Sequence, residues 1–271
     1  MKIKITISLF LLLIIIAGCD FLNKEKVQIL PAHAHNDYVH NRPLLDALDC
    51  KFKSIEADVF SIGDSLFVAH DFHQIKPGRT LRQLYLNPLK NIVDKNKGSV
   101  YGNSEEIILL VDIKDDGLKT YQLLHKILED YAEILTAYNS GEKKQGAIAV
   151  VVSGNRPVEF MRKQKVRYAG FDGRISDLDS GIASSLMPLV SDNWNKHFSW
   201  KGKGEMPGEE KNKLLQFVQK AHENGYLLRF WATPDKPGLE RDAVWNELIN
   251  AQVDLIGSDD LTGLQDKFLK E

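Results

Sequence analysis

Ile107-Ile108-Leu109-Leu110-Val111-Asp112-Ile113-Lys114 is an apolar run that ends in an acid, with a base two residues further on. A short apolar run bounded by polar turns reads as a strand. An acid at its end is unexpected unless it serves a pocket. Asp112 and Lys114 lie two apart, so on a strand they face the same way. Similar runs recur along the chain, near Ile29 to Ala34, Lys53 to Val59, Ala147 to Val152, Tyr168 to Phe171, Leu186 to Val190, Tyr226 to Trp231 and Val253 to Ile256. Most lead into segments of helical spacing: Pro43 to Leu48, Leu81 to Val93, Leu118 to Tyr138, Pro157 to Lys163, Glu209 to Asn224 and Arg241 to Asn250. Alternating strands and helices, with eight strands in all, predict an α/β fold of the (β/α)8 TIM-barrel type. Leu66 to Ala69, reached through the turn Gly63-Asp64, reads as an additional extended segment, and the Gly- and Lys-rich stretch Ser199 to Glu210 as a mobile loop beside the barrel mouth.

In such a barrel the strand ends and following loops form the active face. Ionisable residues gather there: His33, His35, Asn36 and Asp37 after the first strand, Glu56 and Asp58 on the second, His70 and Asp71 after the extra segment, Asp112 and Lys114 on the third. Glu56 and Asp58 point to one face, and two ionised carboxylates cannot share that space without a cation or a proton between them. Oxygen donors alone favour a hard divalent ion, Ca²⁺ or Mg²⁺, over zinc. Asp112 is expected to be the third ligand, with Lys114 stabilising charge on a substrate phosphate. Taken singly, Glu56 and Asp58 read better as a solvated strand end, Asp112 and Lys114 equally well as a salt-bridged strand terminus, and a lone histidine is more often structural, so the weight lies in their convergence. His35 and His70 can each carry a proton near neutral pH, as acid and base at opposite ends of a bond cleavage. His33, two residues from His35, is a competing candidate for the same role or a supporting partner.

Lys2 and Lys4, the apolar run Ile5 to Ile16 and Ala17-Gly18-Cys19 have the form of a charged region, a hydrophobic region and a small-residue cleavage site. That run is short of the ~20 apolar residues that span a bilayer. Residues 1–18 therefore read as a signal peptide. Cys19 after Ile16-Ala17-Gly18 resembles a bacterial lipobox, which implies a lipoprotein signal peptide over 1–18, a tether over 19–28 with the acyl anchor on Cys19, one domain over 29–271, and a place on a membrane in the periplasm or at the cell surface. The alternative is an ordinary secretory signal with an incidental cysteine. Without residues 1–18, which hold two lysines and no acid, 33 Lys and Arg stand against 37 Asp and Glu, a net charge of −4. That balance argues against a nucleic-acid partner, and nothing in the sequence calls for a protein partner. Cys50 is the only other cysteine, so a buried core rather than a disulfide framework must hold the domain.

Five ordered motifs, A-H-N-D-Y (34–38), R-P-L-L-D-A-L (42–48), I-E-A-D-V (55–59), V-A-H-D (68–71) and V-D-I-K (111–114), resemble the glycerophosphodiester phosphodiesterase and phosphatidylinositol-specific phospholipase C superfamily, in its branch similar to the altered inheritance of mitochondria protein 6 family. The similarity continues through Ala221 to Gly225, Arg229 to Trp231 and Val253 to Asp259, nearly the whole chain after residue 18. The resemblance implies a phospholipase-C-like barrel that hydrolyses a small-molecule or lipid phosphodiester, with His35 and His70 catalytic and one cation on Glu56, Asp58 and Asp112. Two departures stand out. The family's third ligand is usually a glutamate, and its first histidine is usually followed by Arg-Gly, where this chain has Asn36-Asp37. The missing guanidinium leaves Arg42, Arg174 or Arg229 to hold phosphate, with Arg174 preferred; Asn36 and Trp231 complete the expected substrate contacts. The same departures motivate a rival expectation, a barrel that binds a sugar or phospholipid head group without turning it over. Hydrolysis of a glycoside by the paired acids fits less well, because that chemistry does not call for two histidines.

Overall fold

The computed structural model describes residues 27–270. Cys19 and the leader lie outside the described residues, as does the tether up to residue 26. Eight strands form the barrel: β1 (Leu30–Ala34), β2 (Phe52–Ile62), β3 (Ile107–Ile113), β4 (Ile148–Gly154), β5 (Ala169–Gly173), β6 (Leu189–Asn193), β7 (Leu227–Trp231) and β8 (Leu255–Ser258). Each pairs with the next in parallel, and β1 pairs with both β8 and β2, which closes the sheet. Closure leaves no free edge among these eight.

Alternation explains which residues face where. On β3, Ile107, Leu109, Val111 and Ile113 pack outward against the helical layer, whereas Ile108 and Leu110 join Ala149, Val151, Leu189 and Leu255 in a small cluster inside the barrel. Asp112 has the inward parity, so the apolar plug of the lower barrel gives way to acids at the top. The first two barrel strands carry the same switch: His33 pairs in register with Ser54, and Glu56 and Asp58 follow on the same face.

Ser65–Val68 turns back antiparallel on the outer half of β2. The Ala69 amide donates to the Asp58 carbonyl at 3.1 Å, which anchors the segment leading to His70 directly beside Asp58. The expected segment at Leu66 to Ala69 is thus a hairpin arm that carries one histidine over the mouth.

Two expectations need correction. The helix expected over Leu118 to Tyr138 spans Gly117–Glu129, and the chain beyond it forms one strand, Ala137–Asn139, of a small three-stranded sheet beside the start of β4. The stretch Ser199 to Glu210 is fixed to the frame: Glu210 accepts from the Ser199 and Trp200 amides at 3.0 and 3.1 Å, and Trp200 and Met206 are buried. A composition rich in Gly and Lys concealed that aromatic anchor. Among the described residues no helix is long and apolar enough to cross a membrane.

Candidate active site

Glu56, Asp58 and Asp112 each present an oxygen within 4.8 Å of the others at the mouth. Register brings this about, because Asp58 pairs with Asp112 across β2 and β3 while Glu56 lies one inward position below Asp58. The shorter Asp112 therefore reaches the cluster without help from a longer side chain. Gly154 makes room for it. At φ +66°, a β-carbon at position 154 would sit 2.2 Å from Asp112 Oδ1.

The three acids are held differently. Burial opposes ionisation of Glu56, but a hydrogen bond from His33 and the charge of Arg229 outweigh it and keep its carboxyl well below the usual range. Burial pushes Asp58 up, and the charge of Glu56 adds to the effect. Burial likewise raises Asp112, to about 6, against the pull of Lys114. Lys114 Nζ lies 3.0 Å from Asp58 Oδ2 and 3.3 Å from Asp112 Oδ1. Its ammonium, although burial works against the charge, is held above its ordinary value by those acids.

Lys114 and Arg229 against three carboxyl groups leave the ionised cluster with net negative charge in a largely buried setting. Asp58 Oδ1 is buried with no hydrogen-bond partner, an orphan acceptor that otherwise costs ~1–3 kcal/mol. All-oxygen donors, their spacing and that orphan fit a hard divalent cation.

The structure separates the three histidines. His33 is completely buried, its Nε2–H donating to Glu56 Oε2 at 3.0 Å and its Nδ1 accepting from the Ser54 hydroxyl at 2.8 Å. Burial, with Arg229 nearby, lowers it to about 4, so it stays neutral and orients Glu56. His35 and His70 are open to a ligand, with side chains 41% and 56% exposed. His35 Nδ1 lies 2.8 Å from Asp259 Oδ1. Burial alone would lower His35; that hydrogen bond and the charge of Glu56 turn the balance upward. His70 Nδ1 lies 3.0 Å from Asp58 Oδ2.

Among the other expected contacts, Asn36 adopts a left-handed conformation and brings its amide nitrogen within 3.1 Å of His35 Nδ1. Trp231 is 38% exposed and lines a cleft of about 110 Å³ with His35, Arg229, Asp235 and Asp259. Arg174 is not brought to the acids. Its Nη1 donates to the buried Asp172 at 2.8 Å, in a network with Ser153 and Ser191. Arg42 is spent on Asp46 and Asp49 at the surface. The guanidinium at the site is Arg229, buried, with Nη2 3.6 Å from Glu56 Oε2 and Nε unpartnered.

Two participants were not singled out from sequence. The Tyr38 hydroxyl lies 2.7 Å from Asp58 Oδ2, 2.6 Å from Asn36 Oδ1 and 3.3 Å from His70 Nδ1, linking the surroundings of both histidines. Asp259 was the more legible of the two: β8 borders β1 in any closed eight-stranded barrel, so an acid just past one strand meets a histidine just past the other.

A family model described as an AIM6-like phosphodiesterase domain matches residues 21–172. A protein of Arthroderma benhamiae named altered inheritance of mitochondria protein 6 homolog is 29% identical over 269 residues, covering 88% of this chain and 84% of its own. The altered inheritance of mitochondria protein 6 of Eremothecium gossypii is 29% identical over 271 residues, covering 89% and 70%. Among solved structures, a glycerophosphoryl diester phosphodiesterase from Parabacteroides distasonis shares the fold, with a TM-score of 0.50 at 14% identity over 91% of this chain and 88% of that one.

Proposed function

Because the chain belongs to the AIM6-like phosphodiesterase domain family, we propose that it hydrolyses a small-molecule or lipid phosphodiester at the mouth of the barrel, with His35 and His70 as the proton-transferring pair. The observation that carries this reading is the placement of two accessible imidazoles around one cluster of three carboxylates. Glu56, Asp58 and Asp112 would hold a divalent cation, Ca²⁺ or Mg²⁺, which when bound supplies positive charge to a non-bridging phosphate oxygen. Lys114 places a second positive charge beside it, where negative charge grows in the transition state. One imidazole takes a proton from the attacking hydroxyl or water, and the other returns a proton to the departing alkoxide. Asp259 fixes the ring of His35 through Nδ1, so Nε2, 3.3 Å from the Asn36 amide nitrogen, is the nitrogen that exchanges a proton with substrate; Asp58 fixes His70 through Nδ1 in the same way. Neutral His33 and Arg229 keep Glu56 ionised and aimed inward. We further propose that an acyl anchor on Cys19 holds the domain on a membrane outside the cytoplasm.

His35→Ala and His70→Ala, assayed on bis(4-nitrophenyl) phosphate with Ca²⁺ or Mg²⁺, should each lose roughly 10²-fold or more in kcat. Thermal unfolding should be unchanged, because both rings are substantially exposed. Full activity in both variants would refute the assignment. A second reading, ligand binding without turnover, is favoured by one observation: Lys114 already neutralises part of the acid cluster. Metal binding with no hydrolysis across a panel of diesters would support it.

A further inference from the structure

The mouth is not electrostatically uniform. On the Asp259 side of His35, the cleft bearing Trp231 is bounded by Asp235 and Asp259. On the other side, past Tyr38 and Ala69, runs a groove of about 540 Å³ lined by Val39, His40, Val68, His73, Gln74, Lys76 and Arg79. Among the described residues no carboxylate lines it. Its basic groups come from turns tied to the catalytic segments. His40 closes the turn Asp37–Val39 that follows His35, and His73 lies in the turn Phe72–Gln74 that follows His70. Arg79 donates from Nη2 to the Tyr38 carbonyl, which pins its guanidinium at the inner end of the groove, and the Arg79 carbonyl accepts from the Val68 amide at 2.8 Å. Tyr38 and Ala69 line the groove, and with the Tyr38 hydroxyl 3.3 Å from His70 Nδ1 and Ala69 next to His70 in the chain, the groove borders the segment that carries that histidine.

We propose that this groove is a subsite for a second anionic group, a phosphate or phosphonate, carried on one arm of the diester. The inference rests on the hydrolase reading above. A pinned guanidinium beside a flexible ammonium is an arrangement that recognises phosphate oxygens. The groove offers an anion basic groups with no carboxylate among its lining, whereas in the cleft bearing Trp231 two carboxylates offset Arg229, so the anionic arm is directed to the groove. Val39, 65% exposed on the groove's lining, would flank the arm where it leaves the protein.

The test compares 4-nitrophenyl propyl phosphate with 4-nitrophenyl 3-phosphonopropyl phosphate on the full chain. The phosphonate-bearing diester should be favoured about 10-fold or more in kcat/KM, a preference of the size expected for one charge-assisted contact. Lys76→Glu should abolish that preference while leaving the propyl diester unchanged, and Arg79→Lys should weaken it. Equal kcat/KM on the two diesters, or a preference that survives both substitutions, would overturn the proposal. Titration calorimetry with the same two compounds reads the preference independently of turnover, so a chain that binds the phosphonate selectively yet cleaves neither keeps the groove and loses the hydrolase. Replacing the soluble phosphonate by a phospholipid with a phosphorylated head group in mixed micelles tells the source of the anion. Tighter competition by the lipid assigns the arm to a membrane, and equal competition assigns it to a soluble ligand.

Discussion

Asp259 lies one residue beyond β8, and because Ala34 pairs with Ser258 its carboxylate meets the imidazole one residue beyond β1. Removing that charge in Asp259→Asn should lower the His35 pKa, since the hydrogen bond to Asp259 is the principal influence raising it. The limb of the pH–rate profile that belongs to His35 should therefore move to lower pH, with little change in folding because both side chains are half-exposed at the mouth. An unmoved profile would show that His35 does not titrate in the reaction. Spacing alone placed Glu56, Asp58, Asp112 and Lys114 together, because parity on a strand is periodic and the site uses it directly. Spacing could not choose between His33 and His35, which share that parity. Burial separates the two: His33 is sealed between Ser54 and Glu56, and His35 lies past the strand in a turn. Arg174 misled for the complementary reason. It stands at a strand end as expected, but Asp172, two residues earlier on the same strand, captures it.

At the scale of elements, β4 shows how one strand end serves its neighbour. Gly154 closes β4 with positive φ, and the space its missing side chain leaves is filled by Asp112 from β3. Gly154→Ala should cost about 2 kcal/mol or more in urea unfolding, from backbone strain and displacement of the carboxylate. A loss below ~0.5 kcal/mol, within the range of ordinary surface substitutions, would mean that Asp112 does not depend on this contact. The eight strands were legible because apolar runs with polar ends survive any choice of neighbours; most of their boundaries moved by one to three residues. The small sheet formed by Ala137–Asn139, Glu142–Lys144 and Val166–Arg167 was not legible. Its strands are only two or three residues long, too short for a periodic apolar pattern, and only tertiary contact makes them strands. The helix Leu261–Leu269 was also missed, a short final segment with no strand after it to frame it.

For the whole molecule, closure of the sheet is what converts distant motifs into one site: β8 returns to β1, and the hairpin arm on β2 brings His70 back over Asp58. A cysteine at position 19 would tether this domain by acyl chains, and Cys19→Ala should shift the protein from the membrane pellet to the soluble fraction after an alkaline wash. Unchanged partitioning would remove the anchor from the proposal without touching the site. The proposed hydrolysis requires Glu56, Asp58 and Asp112 to act as one cation site at the barrel mouth. Titration calorimetry of the full chain with Ca²⁺ and Mg²⁺ tests it most directly. One site per chain is expected for at least one of the two ions, lost in Asp58→Asn and weakened in Asp112→Asn. Absence of binding by either ion, or binding that is unaltered in both variants, would contradict it.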